Sequence, residues 1–311
     1  MSQRRSGKHQ HIVPQQMIRN FAGPDRKLVE MVKPGFQIGT RRRAPKGILF
    51  RDDFYRNANS DIDAEFLNPI EQKFAPVYPL ILSREKLNGH QGAAFIDWVA
   101  AMLTRTQFIS AVMPRVPSRL PDVLAAQFNS AKKVFDNIAR TEWFSMYQDL
   151  FARGGWQWKY RRFPEACLVL SDHPVCITSV YQEGGQMVLV PMSSDVVLIG
   201  GARTAIENMR ETTAAQFNFF FAGYANRSIF ASDRSTLEKL TLLLSDDSPF
   251  PRQMVEAARQ PFFGAPERLR EQMQSDPMPK GFDFGEALRQ HSASFGPYRW
   301  EIAQPDASQN P

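Results

Sequence analysis

The sequence predicts an α+β fold in which a helical N-terminal half packs on a small, mainly antiparallel sheet. Between residues 61 and 151, apolar side chains recur with helical spacing. From residue 156 to residue 199 they form short β-branched or aromatic runs that are separated by turn residues. Because helices come first and strands follow, the pattern favours α+β over a doubly wound parallel sheet.

The N-terminal region contains a dense motif, Lys8–Phe21, in which two histidines, a proline and an arginine stand among apolar residues. Pro14 suits the first turn of a short helix, because a residue in that turn needs no amide hydrogen. After the motif, Leu28–Val32 is predicted as a strand, and the Pro- and Gly-containing stretch Lys33–Gly47 as a long loop.

Three helices are predicted next. Asp61–Lys86 has one apolar face, with Asn68 as a helix cap and two later prolines that should end or kink the helix. Ala93–Met113 has a stronger apolar face. The third predicted helix is Pro121–Phe151.

The second half of the chain changes to strand patterns. Five strands are predicted there: Trp156–Phe163, Cys167–Leu170, Val175–Ser179, Met187–Pro191 and Val196–Ile199. Glu183–Gly185 is predicted as a hairpin tip. A helix over Thr204–Ala222, a strand over Ser228–Ala231 and a last helix capped by Asp233 or Ser235 follow.

The domain organisation follows from these changes in pattern. Residues 1–245 are predicted as a single α+β domain, with the motif and the helical part in 8–152 and the sheet part in 153–245. Residues 246–311 are rich in Pro, Gln, Arg and Ser and have weak periodicity, which predicts a partly ordered C-terminal extension. A short helix over Ala265–Gln274 is expected in it.

The positive charge of the chain is concentrated near its N-terminus. Residues 1–56 contain 13 Lys and Arg against 4 Asp and Glu, whereas the remaining residues carry a net charge of −3. Arg41, Arg42 and Arg43 are the densest cluster, and such clusters attract phosphate backbones. A solvated loop that aids solubility is the alternative interpretation.

The two cysteines, Cys167 and Cys176, exclude a disulfide framework and are too few for a typical structural zinc site. The sequence has no apolar run of the length that a membrane span needs and no secretory signal pattern. We therefore expect a cytoplasmic protein that does not associate with membranes.

His11 is the first candidate functional residue, because it precedes the predicted helix start at Pro14. Free N–H groups and the positive end of the helix dipole favour an anion there. His11 would then be a base, a metal ligand or a phosphate contact. Alternatively, its ring fixes the N-terminal segment through local hydrogen bonds.

Glu71 and Arg105 both fall on the apolar side of their predicted helices. A buried charge without a partner would cost several kcal/mol, so each needs one, and pairing with each other is the simplest solution. The pair is either a structural ion pair or the lining of a polar cleft. In a cleft, Arg105 would bind phosphate or carboxylate through two parallel hydrogen bonds.

The segment Ser171–Pro174 directly follows an apolar strand, and strand ends often present functional side chains. Asp172 would bind a metal or orient His173. Asp and Ser before a proline also form ordinary turns, because their side chains bond nearby backbone N–H groups. The residues alone leave both interpretations open.

Several of these segments together resemble an uncharacterised bacterial family, the domain of unknown function four-two-three-eight. Its members open with Gln-His-Tyr-Val-Pro and a Leu-Arg-x-Phe step, to which Gln10–Pro14 and Ile18–Phe21 are similar. Its helical Glu and its Arg-Thr step look like Glu71 and Arg105–Thr106. Two positions lack the aromatic side chain usual in the family, Ile12 and Met17.

The resemblance continues into the sheet part. The family's turn, Thr or Ser followed by Asp-x-Pro-Val, is similar to Ser171–Val175, and its strand ending in Pro, Leu or Met, and Ser is similar to Val190–Ser193. Its later Asn, which precedes a strand, looks like Asn218 before Ser228–Ala231. The resemblance covers about residues 8–245. It implies a polar centre but brings no agreed activity.

The leading hypothesis is a metal-assisted hydrolase that acts on a phosphate-containing substrate such as nucleic acid or a nucleotide. Glu71 and Asp172 would hold a divalent metal such as Mg²⁺, which activates water. His11 would act as the general base, and Arg105 and Arg19 would neutralise the charge that develops in the transition state.

This hypothesis assigns further residues to ligand binding. His173 and Asn218 would contact the ligand, and Arg41, Arg42 and Arg43 would contact nucleic acid. The alternative function is a non-catalytic binding module for an anionic ligand or a protein partner, for which a host-defence role would fit. A third interpretation makes the polar centre purely structural.

Overall fold

The computed structural model of the protein describes residues 9–52, 54–55, 62–105, 136, 140–152, 156–179 and 186–264. Within these residues, ten strands form three antiparallel sheets, against which the helices pack. The predicted α+β class is confirmed. The helical N-terminal half on one small sheet is not confirmed, because four of the ten strands precede residue 53.

The N-terminal strands belong to two different sheets. Strand β1 (His9–His11) pairs with β4 (Phe50–Asp52) to form a two-stranded sheet. Strand β2 (Val29–Val32) agrees with the prediction and pairs with β3 (Gln37–Ile38). The stretch predicted as a long loop therefore contains β3 and a short 3₁₀ turn, Pro45–Gly47. Between β1 and β2, helix α1 (Gln15–Arg19) begins directly after Pro14.

The helix predicted over residues 61–86 is divided into shorter pieces. A π-helical turn (Asp63–Leu67) leads into α2 (Asn68–Phe74), and α3 (Val77–Leu82) follows the expected break at Pro76. The prediction that Asn68 caps the helix is wrong. Asn68 has helical dihedral angles, because the helical backbone already begins one turn earlier.

Helix α4 (Gly89–Arg105) is the longest helix among the described residues. It begins four residues before the predicted start because Asn88 and Gln91 exchange hydrogen bonds between their side chains and backbone N–H groups, at 2.8 and 3.0 Å. Residues 106–113 of the predicted helix lie outside the described residues. In the region of the third predicted helix, residues 136 and 140–152 are described and helical, and we call this helix α5.

The larger apolar sheet has the strand order β5-β9-β8-β7. Its strands are β5 (Gln157–Arg162), β7 (Cys176–Ser179), β8 (Gln186–Ser193) and β9 (Val196–Gly201). The two central strands are buried on both faces, which explains their continuous apolar runs. The predicted hairpin tip at residues 183–185 lies outside the described residues.

The other four-stranded sheet has the order β3-β2-β10-β6. Strand β6 (Leu170–Ser171) is shorter than the strand predicted over residues 167–170, and β10 (Ser228–Ala231) matches its prediction. Strand β10 is central, with Ile229 opposite Met31 on one side and opposite Ser171 on the other. This sheet therefore joins segments from three distant parts of the chain.

The single helix predicted over residues 204–222 is wrong, since two helices occupy this region. Helix α6 (Arg203–Asn208) ends before Met209, and α7 (Ala214–Tyr224) starts at a capping box. In the box, the Thr213 hydroxyl accepts from the backbone N–H of Gln216, whose side chain in turn accepts from the backbone N–H of Thr213. This box begins a new helix, although apolar residues continue through the region.

The last described helices are α8 (Arg234–Leu243) and α9 (Arg252–Arg259). Asp233 caps α8 as predicted, because its carboxylate accepts from the backbone N–H of Thr236 at 2.9 Å. The helix expected over residues 265–274 lies outside the described residues.

Aromatic side chains from helices and strands meet in the core. The ring of Phe74 stacks on that of Trp98 at 4.4 Å, and Phe95 contacts the edge of Trp158 at 4.8 Å. These contacts fix α2 and α4 against the β5 side of the sheet. None of the helices in the described part of the chain is long and apolar enough to cross a membrane.

Candidate functional site

The guanidinium group of Arg105 is the centre of the first polar cluster. At the C-terminal end of α4, its Nε donates to the carbonyl oxygen of His11 at 2.7 Å, and Nη2 contacts the same oxygen. Nη1 forms an ion pair with Glu71, and Nη2 lies 3.5 Å from the carboxylate of Asp63. The predicted pairing of Glu71 with Arg105 is therefore present, and all three guanidinium nitrogens have an acceptor.

Burial differs sharply between the members of this cluster. The side chains of Arg105 and Asp63 are 4% and 9% exposed, whereas that of Glu71 is 29% exposed. A buried guanidinium is stable only when its donors are satisfied. Arg105 therefore holds β1, the π-helical turn and α2 together, and the Glu71 carboxylate forms the accessible edge of the cluster.

Tyr55 and Arg140 complete the buried part of the cluster. The Tyr55 hydroxyl donates to the carbonyl oxygen of Arg105, and Arg140 donates to that of Thr104. These bonds go to the last two described carbonyl groups of α4. Burial raises the pKa of Tyr55 to about 12, which the positive charges of Arg105 and Arg140 oppose. Tyr55 is therefore a neutral donor at physiological pH.

A row of hydrogen-bonded polar side chains lies at the surface beside this cluster. The side-chain amide of Gln15 contacts the Nε2 atom of the His11 ring at 2.9 Å, and Arg19 donates to the Gln15 carbonyl oxygen at 2.9 Å. Arg19 can only donate, so it fixes the orientation of the amide, and Gln15 must donate to His11. The His11 ring then accepts at Nε2.

The row is more accessible than the buried cluster around Arg105. His11 and Gln15 are partly buried, and Arg19 is exposed. Within the described residues, Arg19 has no carboxylate partner, so its remaining donors face solvent. The role of His11 stays a prediction; its ring bonds to Gln15 and its carbonyl to Arg105.

Asp172 lies in a different polar centre, at the turn between α7 and β10. Its two carboxylate oxygens accept from the backbone N–H groups of Asn226, Arg227 and Ser228 at 2.8, 2.9 and 3.2 Å. Burial raises the pKa of Asp172, and these three donors oppose the shift. The Asp172 carboxylate thus takes the place of the backbone carbonyl groups that would accept from these N–H groups in a β-sheet.

Lys33 binds the same turn from its carbonyl side. The buried Nζ lies within hydrogen-bonding distance of four carbonyl oxygens, those of Ala222, Gly223 and Ala225 at the end of α7 and that of Gln260 at 3.0 Å, and its three hydrogens are shared among them. Burial lowers the pKa of Lys33 to about 7, an effect that the nearby Asp172 opposes. Lys33 therefore bonds to the carbonyl groups of this turn, and Asp172 bonds to its N–H groups.

The neighbouring predicted residues, His173 and Asn218, are also buried. The His173 ring lies nearly parallel to that of Tyr224 at 6.1 Å and edge-on to Phe262 at 5.4 Å. Burial lowers the pKa of His173 to about 3. The Asn218 amide donates to the Cys167 carbonyl at 2.7 Å and accepts from the Val169 N–H at 3.0 Å, which fixes the segment before β6.

The three consecutive arginines have unequal roles. Arg42 pairs with Asp25 at 2.9 Å and donates to the carbonyl oxygen of Ser232. Arg43 pairs with Glu30 at 2.6 Å, and Arg41 is exposed. Two of the three arginines therefore attach their loop to the β2–β10 sheet.

The carboxylates predicted to hold a metal do not share partners. Glu71 pairs with Arg105, and Asp172 binds the α7–β10 turn. Among the described residues, no group of three or more His, Cys, Asp or Glu side chains is arranged to hold a metal ion. Thr106, part of the Arg-Thr step, lies outside the described residues.

Sequence reasoning missed several members of these centres. Asp63 precedes Leu67 by four residues and Ile70 by seven, so helical spacing places it on the buried stripe. Arg140 likewise precedes the buried Phe144 by four residues, so helical spacing places it on the buried side of its helix. Lys33 has no such signal, because it follows a strand and its partners are backbone groups about 190 positions away.

A double-mutant cycle tests whether Glu71 and Arg105 form one unit. Because their charges meet at a guanidinium that is almost fully buried, we expect Glu71→Gln and Arg105→Gln to couple by about 1–3 kcal/mol in urea unfolding. The exposed pair Arg234–Glu238 is the control, with about 0.3–0.5 kcal/mol expected. Equal coupling in the two pairs would contradict the account.

The burial of His173 predicts a loss of stability in acid. The unfolded chain takes up a proton at this ring near pH 6.5, whereas the folded chain does so only near pH 3. The unfolded state therefore gains stability as the pH falls below 6.5, by about 2 kcal/mol at pH 5.

The measurement is the free energy of unfolding at pH 7.5 and pH 5 for the wild type and His173→Phe. Asp172, whose pKa is raised, contributes with the opposite sign in both proteins, so their difference isolates His173. We expect the wild type to lose about 2 kcal/mol more than the variant. Parallel pH profiles would show that the ring is not buried in its neutral form.

Comparison with known proteins bears on both polar centres. Residues 9–235 match the family described as Protein of unknown function (DUF4238). The match includes His11, Glu71, Arg105 and Asp172, and it covers well over half of the 311 residues. No curated protein and no solved structure matches the chain. The resemblance found in the sequence is thus confirmed, and the chain belongs to the DUF4238 family of proteins of unknown function.

Proposed function

We propose that the protein is a binding module for a phosphate-containing anion, such as a nucleotide or nucleic acid, and that the row His11–Gln15–Arg19 contacts this ligand. The observation that carries the proposal is the accessible, hydrogen-bonded row itself. Arg19 offers unpaired guanidinium donors at its exposed end, and planar guanidinium groups match the geometry of phosphate oxygens.

The surroundings of Arg19 support this assignment. A shallow pocket lies at Arg19 and is lined by Gln16, Arg19, Asn20, Tyr78, Pro79 and Leu82. Its apolar members provide a surface for the uncharged part of a ligand, and Arg19 supplies the charge. The Glu71–Arg105 pair beside the row anchors β1, so the row is held on a rigid support.

The metal-assisted hydrolase stays a prediction. It requires Glu71 and Asp172 to hold one metal ion, and each carboxylate has other partners in this structure. Arg105 would also have to exchange the His11 carbonyl or Glu71 for a phosphoryl oxygen. The binding module needs neither rearrangement, which is why we prefer it.

A thermal-shift titration tests the proposal. We expect pyrophosphate, nucleoside triphosphates or a short single-stranded oligonucleotide to stabilise the wild type in low salt without any metal, by about 2.7 kcal/mol at a concentration of 100 Kd. Arg19→Gln should weaken binding at least about tenfold, since a charge-assisted contact is lost. Arg203→Gln, which removes an exposed arginine elsewhere, is the matched control.

The same titration separates the two functions. Stabilisation by Mg²⁺ or Mn²⁺ alone that disappears in Glu71→Gln, together with phosphate release, would support the hydrolase and overturn the binding module. Equal ligand responses in Arg19→Gln and Arg203→Gln would remove Arg19 from the site.

A further inference from the structure

The row His11–Gln15–Arg19 continues at its first end into an exposed aromatic side chain. Phe50 is the register partner of His11 in the β1–β4 pair, and the centres of the two rings lie 6.0 Å apart. The Phe50 residue is 37% exposed, whereas most large apolar side chains in the described residues are buried. An accessible ring beside a polar row offers a surface on which a planar group can stack.

The row continues at its other end through the shallow pocket at Arg19. Leu82, the last residue of α3, lines this pocket together with Arg19. The carbonyl oxygen of Leu82 accepts from Arg162 at 2.9 Å and from the Tyr160 hydroxyl at 3.3 Å. Because Tyr160 and Arg162 belong to β5, the pocket connects the row with this strand.

Two further positive charges lie at the Tyr160 ring. The guanidinium carbons of Arg84 and Arg162 lie 4.6 and 5.7 Å from the centre of this ring. Cation–π attraction holds a guanidinium group over a ring at such distances. Both arginines are exposed. Tyr160 therefore fixes a second cationic site on the far side of the pocket from Arg19.

The arginines of the two sites are only partly neutralised. Arg162 pairs with Asp195 at 3.2 Å, and this pair is solvent-exposed, so its exchange for another anion costs little. Within the described part of the chain, Arg19 and Arg84 have no carboxylate partner. Glu85, which follows Arg84, accepts from a hydroxyl group in its own turn. Both sites thus have donors for an external anion.

We propose that the ligand of the row is single-stranded nucleic acid, which lies along one surface strip. The strip consists of Phe50, the row, Tyr160, Arg84 and Arg162. This inference rests on the proposed function, because Arg19 remains the first phosphate contact. The pocket separates the two cationic sites, so a small anion at Arg19 leaves the second site empty. A strand has successive phosphates for both sites and unpaired bases that stack on Phe50.

The first test compares the affinities of three probes for the full chain in low salt without metal. We expect a thymidylate 12-mer to bind at least about 100-fold more tightly than pyrophosphate, because it contacts the whole strip. A duplex of the same length should bind at least about tenfold more weakly than the strand, since paired bases cannot stack on Phe50. A duplex that binds as tightly as the strand would overturn the proposal, as would a strand that binds no better than pyrophosphate.

Phe50→Ala tests the base contact. Strand binding should weaken at least about tenfold through the loss of stacking, and the Kd for pyrophosphate should stay within about twofold of the wild type. Leu242→Ala is the control, because it truncates an exposed apolar side chain elsewhere, on α8. If Phe50→Ala and Leu242→Ala bind the strand equally well, no base stacks on Phe50 and the strip is wrong.

The double variant Arg84→Gln/Arg162→Gln tests the second cationic site. Each phosphate contact of a single strand contributes about −0.7 to the slope of log K against log salt concentration. The double variant should therefore reduce the steepness of this slope by about 0.7–1.4, with an unchanged Kd for pyrophosphate. Arg203→Gln should leave the slope as it is in the wild type. A wild-type slope in the double variant would exclude the second site and overturn the proposal.

The two kinds of probe separate this inference from the proposed function. If Arg19→Gln weakens pyrophosphate binding while Phe50→Ala and the double variant bind the strand like the wild type, the proposed function stands and the strip is wrong. If the wild type binds neither pyrophosphate nor the strand, both are wrong.

Discussion

The capture of one turn by two buried charges is the interaction on which the rest of the fold depends. Lys33 takes the free carbonyl oxygens at the end of α7, and Asp172 takes the free N–H groups that follow in the chain. Unsatisfied buried peptide groups would cost free energy comparable to that of lost hydrogen bonds. The two side chains thus allow α7 to turn directly into the central strand β10 inside the protein.

This constraint links parts of the chain that are far apart in sequence. Lys33 follows β2 and Asp172 follows β6, and both strands flank β10. Their charges also partly neutralise each other in a region of low solvent access. Both carboxylate oxygens of Asp172 accept hydrogen bonds in this arrangement, so we interpret Asp172 as a structural residue. We assign ligand contact to the row at α1.

The second polar centre has a different character. Arg105 fixes the N-terminal motif through the His11 carbonyl, whereas the Arg19 side chain is exposed and those of His11 and Gln15 are partly buried. The motif therefore combines a buried anchor with an accessible polar edge. This separation explains why a segment so rich in polar groups is also rich in buried apolar ones, such as Met17 and Ile18.

Helical spacing predicted the burial of Arg105 correctly, since a stripe of apolar residues defines the buried side of a helix, whereas Glu71 pairs with Arg105 but stays partly exposed. The same rule would have found Asp63 and Arg140. It could not find Lys33, whose partners are carbonyl groups set by the tertiary fold. Nor could it decide the role of Asp172, because the N–H groups that it binds lie more than fifty residues later.

The most direct test of this account compares Asp172→Asn with Arg19→Gln for melting temperature and for the shift induced by pyrophosphate. If Asp172 holds the turn and Arg19 binds the ligand, Asp172→Asn will melt at a lower temperature and keep its ligand-induced shift. Arg19→Gln will melt like the wild type and lose the shift. An Asp172→Asn protein of normal stability without a ligand response would contradict the account.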